Sequence, residues 1–236
     1  MLKNNLDIIY EDNHLLIVNK ASGMLVQDDH TSDKTLLDLG KDYIKNTCGK
    51  PGSVFLGLVH RLDRPASGLV VLARTSKALT RMNEQFRNKT IDKIYWVITG
   101  KMPPAMEGKL THWLIKNHQK NIVKAFLREK EGSIKAELEY RILGNIKSYF
   151  LLEVKLITGR FHQIRTQFSA AGCPVVGDVK YGYQSPNPDK SICLHARKLL
   201  FLHPVKREKI DLSAPLPSTH GWDFFKDYET EDSSGQ

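Results

Sequence analysis

Asp63 is the residue whose setting most suggests chemistry. It lies in His60-Arg61-Leu62-Asp63-Arg64, between two arginines, and the small-residue turn Pro65-Ala66-Ser67-Gly68 follows it. An apolar run from Leu69 to Ala73 comes next. A carboxylate at the entry to a buried strand needs a reason to be there. Flanking guanidinium groups favour its ionised form and can hold a polyanion nearby. The same pattern also fits a charged structural turn between two strands, and pattern alone leaves both readings open.

Two further constellations could act with it. In Lys93-Ile94-Tyr95, strand alternation puts Lys93 and Tyr95 on one face, where a tyrosine ring can stack on a base or simply fill a core. In Gly159-Arg160-Phe161-His162-Gln163-Ile164-Arg165, a glycine turn leads into a helix N-terminus, a ready site for an anion. His162 and Arg165, three apart, project from nearly one face, as they also would in an ordinary basic amphipathic helix. The turn Gly177-Asp178-Val179-Lys180-Tyr181-Gly182 is a weak signal by itself. Two basic sets, Lys116/His118/Lys120/Lys124 and Arg197/Lys198/Lys206/Arg207/Lys209, fit phosphate contacts or solvated surface.

These residues need elements to position them. Ile8 to Tyr10 and Leu15 to Val18 read as strands around a turn, and Thr35 caps a helix running to Lys45. Val54 to Val59 reads as the strand that delivers His60 to Asp63, and Leu69 to Ala73 as the next. Thr75 or Ser76 caps a helix with Leu79, Met82 and Phe86 on one face. Lys93 to Thr99 is β-branched and aromatic, hence a strand. Ile134 to Leu143 and Tyr149 to Ile157 form a hairpin, Phe161 to Ala171 a helix, and Ile192 to Phe201 and Ile210 to Leu212 late strands. Gly221 to Tyr228 reads as a short final helix, and 229–236 as a polar, disordered tail. With no repeat and no long linker, 1–228 reads as a single domain. Its class is α+β, with a mixed, mainly antiparallel central sheet and flanking helices.

Composition narrows the function. The 236 residues are 41% hydrophobic, enough for a core, so a disordered scaffold is excluded. A formal net charge of +9 points to a polyanionic partner such as RNA, although a basic enzyme without nucleic acid has the same balance. Cys48, Cys173 and Cys193 provide neither a disulfide framework nor a zinc site. No phosphate-binding loop, dinucleotide fingerprint or histidine ligand pair occurs. The chain has no apolar run of membrane-spanning length and no secretory signal. A cytoplasmic protein without metal or membrane is expected.

In combination these motifs resemble the RluA-type family of RNA pseudouridine synthases. The resemblance runs from about Ile8 to Pro217. It comprises Tyr10-Glu11-Asp12, Val18-Asn19-Lys20, His60-Arg61-Leu62-Asp63 with Ser67-Gly68-Leu69, Lys93-x-Tyr95 and Gly159-Arg160-x-His162-Gln163-Ile164-Arg165. Gly177-Asp178 with Tyr181-Gly182, Leu194-His195-Ala196 and Ala214-Pro215-Leu216-Pro217 complete it. It implies a pseudouridine synthase fold with a central RNA-binding cleft and a cofactor-free isomerisation of uridine. Asp63 corresponds to the essential carboxylate, Arg165 to the arginine paired with it, and Tyr95 to the ring packed on the target base. Ile164 corresponds to the apolar residue on the base's other side. Arg61 corresponds to the residue that enters the space left by a flipped base. His162, Arg64 and Arg160 are further substrate contacts. Pro65-Ala66, Phe161, Ala21 and Gln27 depart from the common pattern. The stretch before Ile8 is too short for the separate S4-like RNA-binding domain of many relatives. The expectation is a compact, monomeric member acting on a tRNA or rRNA stem-loop. A catalytically silent RNA chaperone on the same fold is the alternative, and a glycosidic hydrolase lacks a convincing second carboxylate.

Overall fold

The computed structural model describes residues 6–28, 33–49, 52–219 and 221–233. The chain divides into two compact, discontinuous units, 1–92 with 196–215, and 93–195 with 216–236. The sequence has no linker to mark this division: two of its three boundaries fall inside strands and the third just after β11 (Lys209–Ser213).

In the first unit, β1 (Ile8–Glu11), β2 (Leu15–Lys20), β4 (Ser67–Ala73) and β10 (Leu194–Leu202) lie side by side, with β3 (Gly57–Leu58) on β4 and β11 (Lys209–Ser213) on β10. The β1–β2, β2–β4, β3–β4 and β10–β11 pairs are antiparallel. β2 and β4 are buried on both faces, which explains their unbroken apolar runs. Leu15, Ile17, Leu69 and Val71 pack with Met82 and Phe201 on one side. Leu16, Val18, Val70 and Leu72 pack with Leu36 and Ile44 on the other. Met82 belongs to α2 (Ser76–Arg87), Phe201 to β10, and Leu36 and Ile44 to α1 (Leu36–Cys48). Thr35 and Asp38 close a capping box at the start of α1, and Thr75 caps α2. The strand expected over Val54 to Val59 is regular only at Gly57–Leu58.

In the second unit the strand order is β5 (Asp92–Thr99), β9 (Tyr149–Leu156), β8 (Ile134–Ile146), β6 (Glu107–Asn117) and β7 (Ile122–Phe126), all pairs antiparallel. The β6–β7 hairpin appears where the sequence offered only a basic cluster. α3 (Gln163–Ala170) covers the face that carries Leu114, Val123 and Ala136. The fold class is the α+β, mainly antiparallel one expected.

The C-terminus differs from expectation. Helix α4 spans Lys226–Ser233, so helix occupies most of the stretch read as a disordered tail. Acidic Asp227 and Glu229 suit its first turn, and Glu229 also accepts the Leu216 N–H at 2.9 Å, tying the helix down. Residues 234–236 lie outside the described residues.

Candidate active site

Asp63 sits half-buried in the loop between β3 and β4. Its carbonyl accepts the Ala66 N–H at 3.1 Å, closing a tight turn. At the loop's start, the His60 ring stacks on Phe86, and its Nε2 accepts the Val71 N–H at 3.1 Å. At its end, Gly68 has φ +111°, and a β-carbon there would run into the backbone of Ala196. The turn is therefore fixed at both ends, and glycine is required at one of them.

Beneath this loop lies Lys20, 1% exposed, at the end of β2. Its ammonium donates to the carbonyls of Ala21 (2.9 Å), Met24 (3.0 Å) and Arg64 (3.2 Å). Burial pushes this amine down to about 7, while Asp63 pulls the other way by favouring the ammonium. Lys20 is thus a buried cation that feels the Asp63 charge. The sequence contained it inside the Val18-Asn19-Lys20 motif without assigning a role, and a lysine ending an apolar strand was the signal.

The two arginines beside Asp63 differ. Arg64 donates from Nε to the Gly23 carbonyl at 3.0 Å and pairs with Asp33 at 2.6 Å, strapping the loop to the segment before α1. Arg61 is exposed.

In the second unit, Tyr95 lies on β5 opposite Val154 and is 8% exposed. The approach to α3 is organised by Gln163. Its Oε1 accepts from the Thr158 hydroxyl (2.8 Å) and the Arg160 N–H (2.9 Å), and its Nε2 donates to the Glu137 carbonyl (3.0 Å). His162 takes the left-handed conformation, φ 52°, as the residue before the helix, so α3 starts at Gln163 and not at Phe161. The Tyr181 hydroxyl accepts the Val123 N–H at 3.0 Å and shares a hydrogen bond with His162 Nδ1 at 2.7 Å.

Arg165, with its side chain 5% exposed, meets Asp178 (1%) in a two-pronged pair: Nε to Oδ2 at 2.6 Å and Nη2 to Oδ1 at 2.9 Å. Its guanidinium also lies over the Tyr181 ring, 4.9 Å from the centroid. This is the fork geometry arginine is suited to. The turn Gly177 to Gly182 therefore supplies both Asp178 and Tyr181, neither of which was assigned a role from sequence. The signal was the pairing of Gly-Asp with Tyr-Gly in one turn. Ile164 is buried at 4% exposure, whereas Arg160 is exposed with Nε on the Lys135 carbonyl at 3.3 Å.

The structure thus gathers Asp63, Arg61 and Arg64 on one loop over Lys20. It gathers Tyr181, His162, Arg165 and Asp178 in one buried network at α3. The first arrangement can present an ionised carboxylate, and the second a guanidinium of fixed direction.

Comparison with known proteins shows the family of the chain. The RNA pseudouridylate synthase family matches residues 14–170. Ribosomal large subunit pseudouridine synthase C of Buchnera aphidicola subsp. Schizaphis graminum is 34% identical over 235 residues, covering 96% of this chain and 71% of that protein. Ribosomal large subunit pseudouridine synthase D of Zymomonas mobilis is 31% identical over 222 residues, covering 90% of this chain and 69% of that protein. The solved structure of human RNA Pseudouridylate Synthase Domain Containing 4 superposes with a TM-score of 0.74 at 25% identity, covering 89% of this chain and 88% of that one. This chain belongs to the RNA pseudouridylate synthase family. Its class of activity is the isomerisation of uridine in RNA. Among the described residues no helix is long and apolar enough to cross a membrane.

Proposed function

We propose that this protein converts uridine to pseudouridine in ribosomal RNA, with Asp63 as the essential carboxylate. The observation that carries the reading is Asp63 itself: a carboxylate on a rigid turn, over a buried lysine, in a chain of this family. In the reaction the bond from uracil N1 to ribose C1′ breaks, the base turns, and C5 bonds to C1′. The proton lost from C5 is balanced by one gained at N1. Attack on C1′ and proton abstraction from the ribose both begin with an ionised carboxylate, which a nearby cation favours.

Tyr95 and Ile164 pack on the target base, Arg165 serves the carboxylate, and exposed Arg61 takes the space the flipped base leaves. Exposed Arg64 and Arg160 add contacts to the RNA backbone, whereas His162, buried against Tyr181, acts on the site from behind and does not touch RNA directly. The ribosomal choice over tRNA is supported by the relatives, whose names refer to the large ribosomal subunit. The protein is proposed to act as a monomer in the cytoplasm, a reducing location that suits the thiols of Cys173 and Cys193, neither of which is in a disulfide.

The test is to map pseudouridine in ribosomal RNA and tRNA from cells with and without this gene, complemented by wild type or Asp63→Asn. Loss of a ribosomal site, restored by wild type and not by Asp63→Asn, is expected. Restoration by Asp63→Asn would refute the role of Asp63, and a lost tRNA site would refute the choice of RNA.

A further inference from the structure

The sheet of the second unit has a face that the chemistry above does not use. Tyr95 and α3 lie on one side of it. On the other, cross-strand register puts Phe126 opposite Trp113, and Trp113 opposite Lys135, in one row across β7, β6 and β8. The next row pairs Lys124 with Ile115. Strand alternation confirms the side. His112 and Leu114 are buried toward α3, whereas Trp113 and Ile115 are half-exposed on the opposite face. At the β5 end the C-terminal segment covers this face, with Gly221 beside Ile98. At the β6–β7 end the aromatic row is open to solvent.

The row has a strongly basic setting. Lys130 holds its ammonium 4.2 Å from the centre of the Phe126 ring, and Lys124, Lys135 and Arg160 are all exposed nearby. Glu137, the carboxylate on the neighbouring row, is already shared by Lys109 (3.0 Å) and Lys135 (3.3 Å). In the 127–133 turn, Glu129 and Glu131 are matched by Arg128 and Lys130. β7 is the terminal strand, and Lys116, His118, Lys120 and Lys124 run round the hairpin from one face to the other. Flat rings interleaved with cations are what a single-stranded nucleic acid requires: stacking for bases and charge for phosphates.

We propose that the open face of the β6–β7 hairpin, centred on Trp113 and Phe126, is a second RNA-docking surface, on which an unpaired segment of the substrate RNA outside the target nucleotide stacks. This rests on the proposed RNA substrate. It assigns Trp113 and Phe126 to affinity and leaves the chemical step to the other face.

Tryptophan fluorescence isolates the surface. Of the three tryptophans, Trp96 is 1% and Trp222 2% exposed, so only Trp113 is placed to be quenched by a stacked base. The experiment titrates the full chain with a short single-stranded oligouridylate RNA, following intrinsic emission together with the anisotropy of labelled RNA. Wild type should show saturable quenching. Trp113→Phe should lose the quenching while binding within about threefold of wild type, since phenylalanine also stacks. Trp113→Ala should weaken binding about tenfold or more and raise KM for the RNA substrate at unchanged kcat. Lys124→Gln with Lys135→Gln should flatten the salt dependence by roughly 0.7 per lysine removed.

Absence of quenching at saturating RNA, or an unchanged Kd in Trp113→Ala, would overturn the proposal. So would a concentration-dependent dimer that Trp113→Ala dissociates, because the face would then join copies of this chain. Loss of pseudouridine formation in Asp63→Asn with intact binding in Trp113→Ala defeats the surface alone. Quenching by RNA from a wild-type protein that modifies no RNA defeats the proposed function alone.

Discussion

The loop that carries Asp63 and the network that carries Arg165 solve opposite problems. Asp63 is half-buried on a turn held by backbone hydrogen bonds, with its lysine neighbour committed to carbonyls. Arg165 is sealed in, and both prongs of its guanidinium are committed to Asp178. The carboxylate is thus carried on a turn held through its backbone, while the guanidinium is gripped directly through its own side chain. The contrast predicts that substitutions at the loop remove activity with little effect on stability, and that substitutions in the network remove stability first.

Four variants can break that contrast. Asp63→Asn should lower turnover by about a thousandfold or more while moving unfolding free energy by less than about 1 kcal/mol. Turnover within tenfold of wild type would end the catalytic assignment. Asp178→Ala should cost about 3–5 kcal/mol in urea unfolding, because it strands the buried Arg165 charge. A loss below about 1 kcal/mol would show that the pair does not fix Arg165.

Lys20→Met tests whether the loop's foundation behaves like the network. It should cost about 2–3 kcal/mol at pH 7, since three carbonyls lose their donor. The Lys20 amine, lowered by burial to about 7, binds fewer protons in the folded chain than in the unfolded one between about 7 and 10.5. Wild-type stability should therefore gain about 1–2 kcal/mol from this group between pH 7 and 9, and Lys20→Met should lose that rise. Equal pH slopes in the two proteins would contradict it.

The smallest effect is at Asp12. Burial raises its carboxyl, but the N–H groups of His14 and Leu15, with His203 and Lys206 nearby, outweigh this and hold it at about 2. The folded chain is then favoured above the ordinary carboxylate range, and the advantage is lost as pH falls through about 4 to 2. Asp12→Asn should cost about 1–2 kcal/mol at pH 7 and almost nothing near pH 2, with solvent screening included. A gap that persists at pH 2 would show a packing effect.

Legibility in the sequence followed the locality of the physics. β4 and the caps of α1 and α2 were readable because burial and capping leave local marks: an apolar run, or a threonine before a periodic segment. The β6–β7 hairpin was not, because β6 mixes charged and polar residues with apolar ones and β7 is only five residues long. Asp63, Tyr95 and Arg165 were singled out from short motifs. The Asp178 partnership was hidden, because thirteen residues and a turn separate it from Arg165. The start of α3 was misplaced by two residues, since nothing in Phe161-His162 announces that His162 adopts a positive φ. The helix expected over Gly221 to Tyr228 is a 3-10 turn at Trp222–Phe225 that leads into α4, and its extension to Ser233 was not legible because the residues after Tyr228 are polar and carry no apolar periodicity.

Gly68 has a consequence for how this protein can change. The distance between β4 and β10 is set there by an atom that is missing, the β-carbon that would meet Ala196. Alanine is the mildest replacement chemistry offers, yet at this position it forces two strands apart just beyond the turn that carries Asp63. Positions five residues apart therefore evolve under different rules. Asp63 is constrained by what it does, and Gly68 by what it leaves room for, so the loop can change neither its carboxylate nor its spacing.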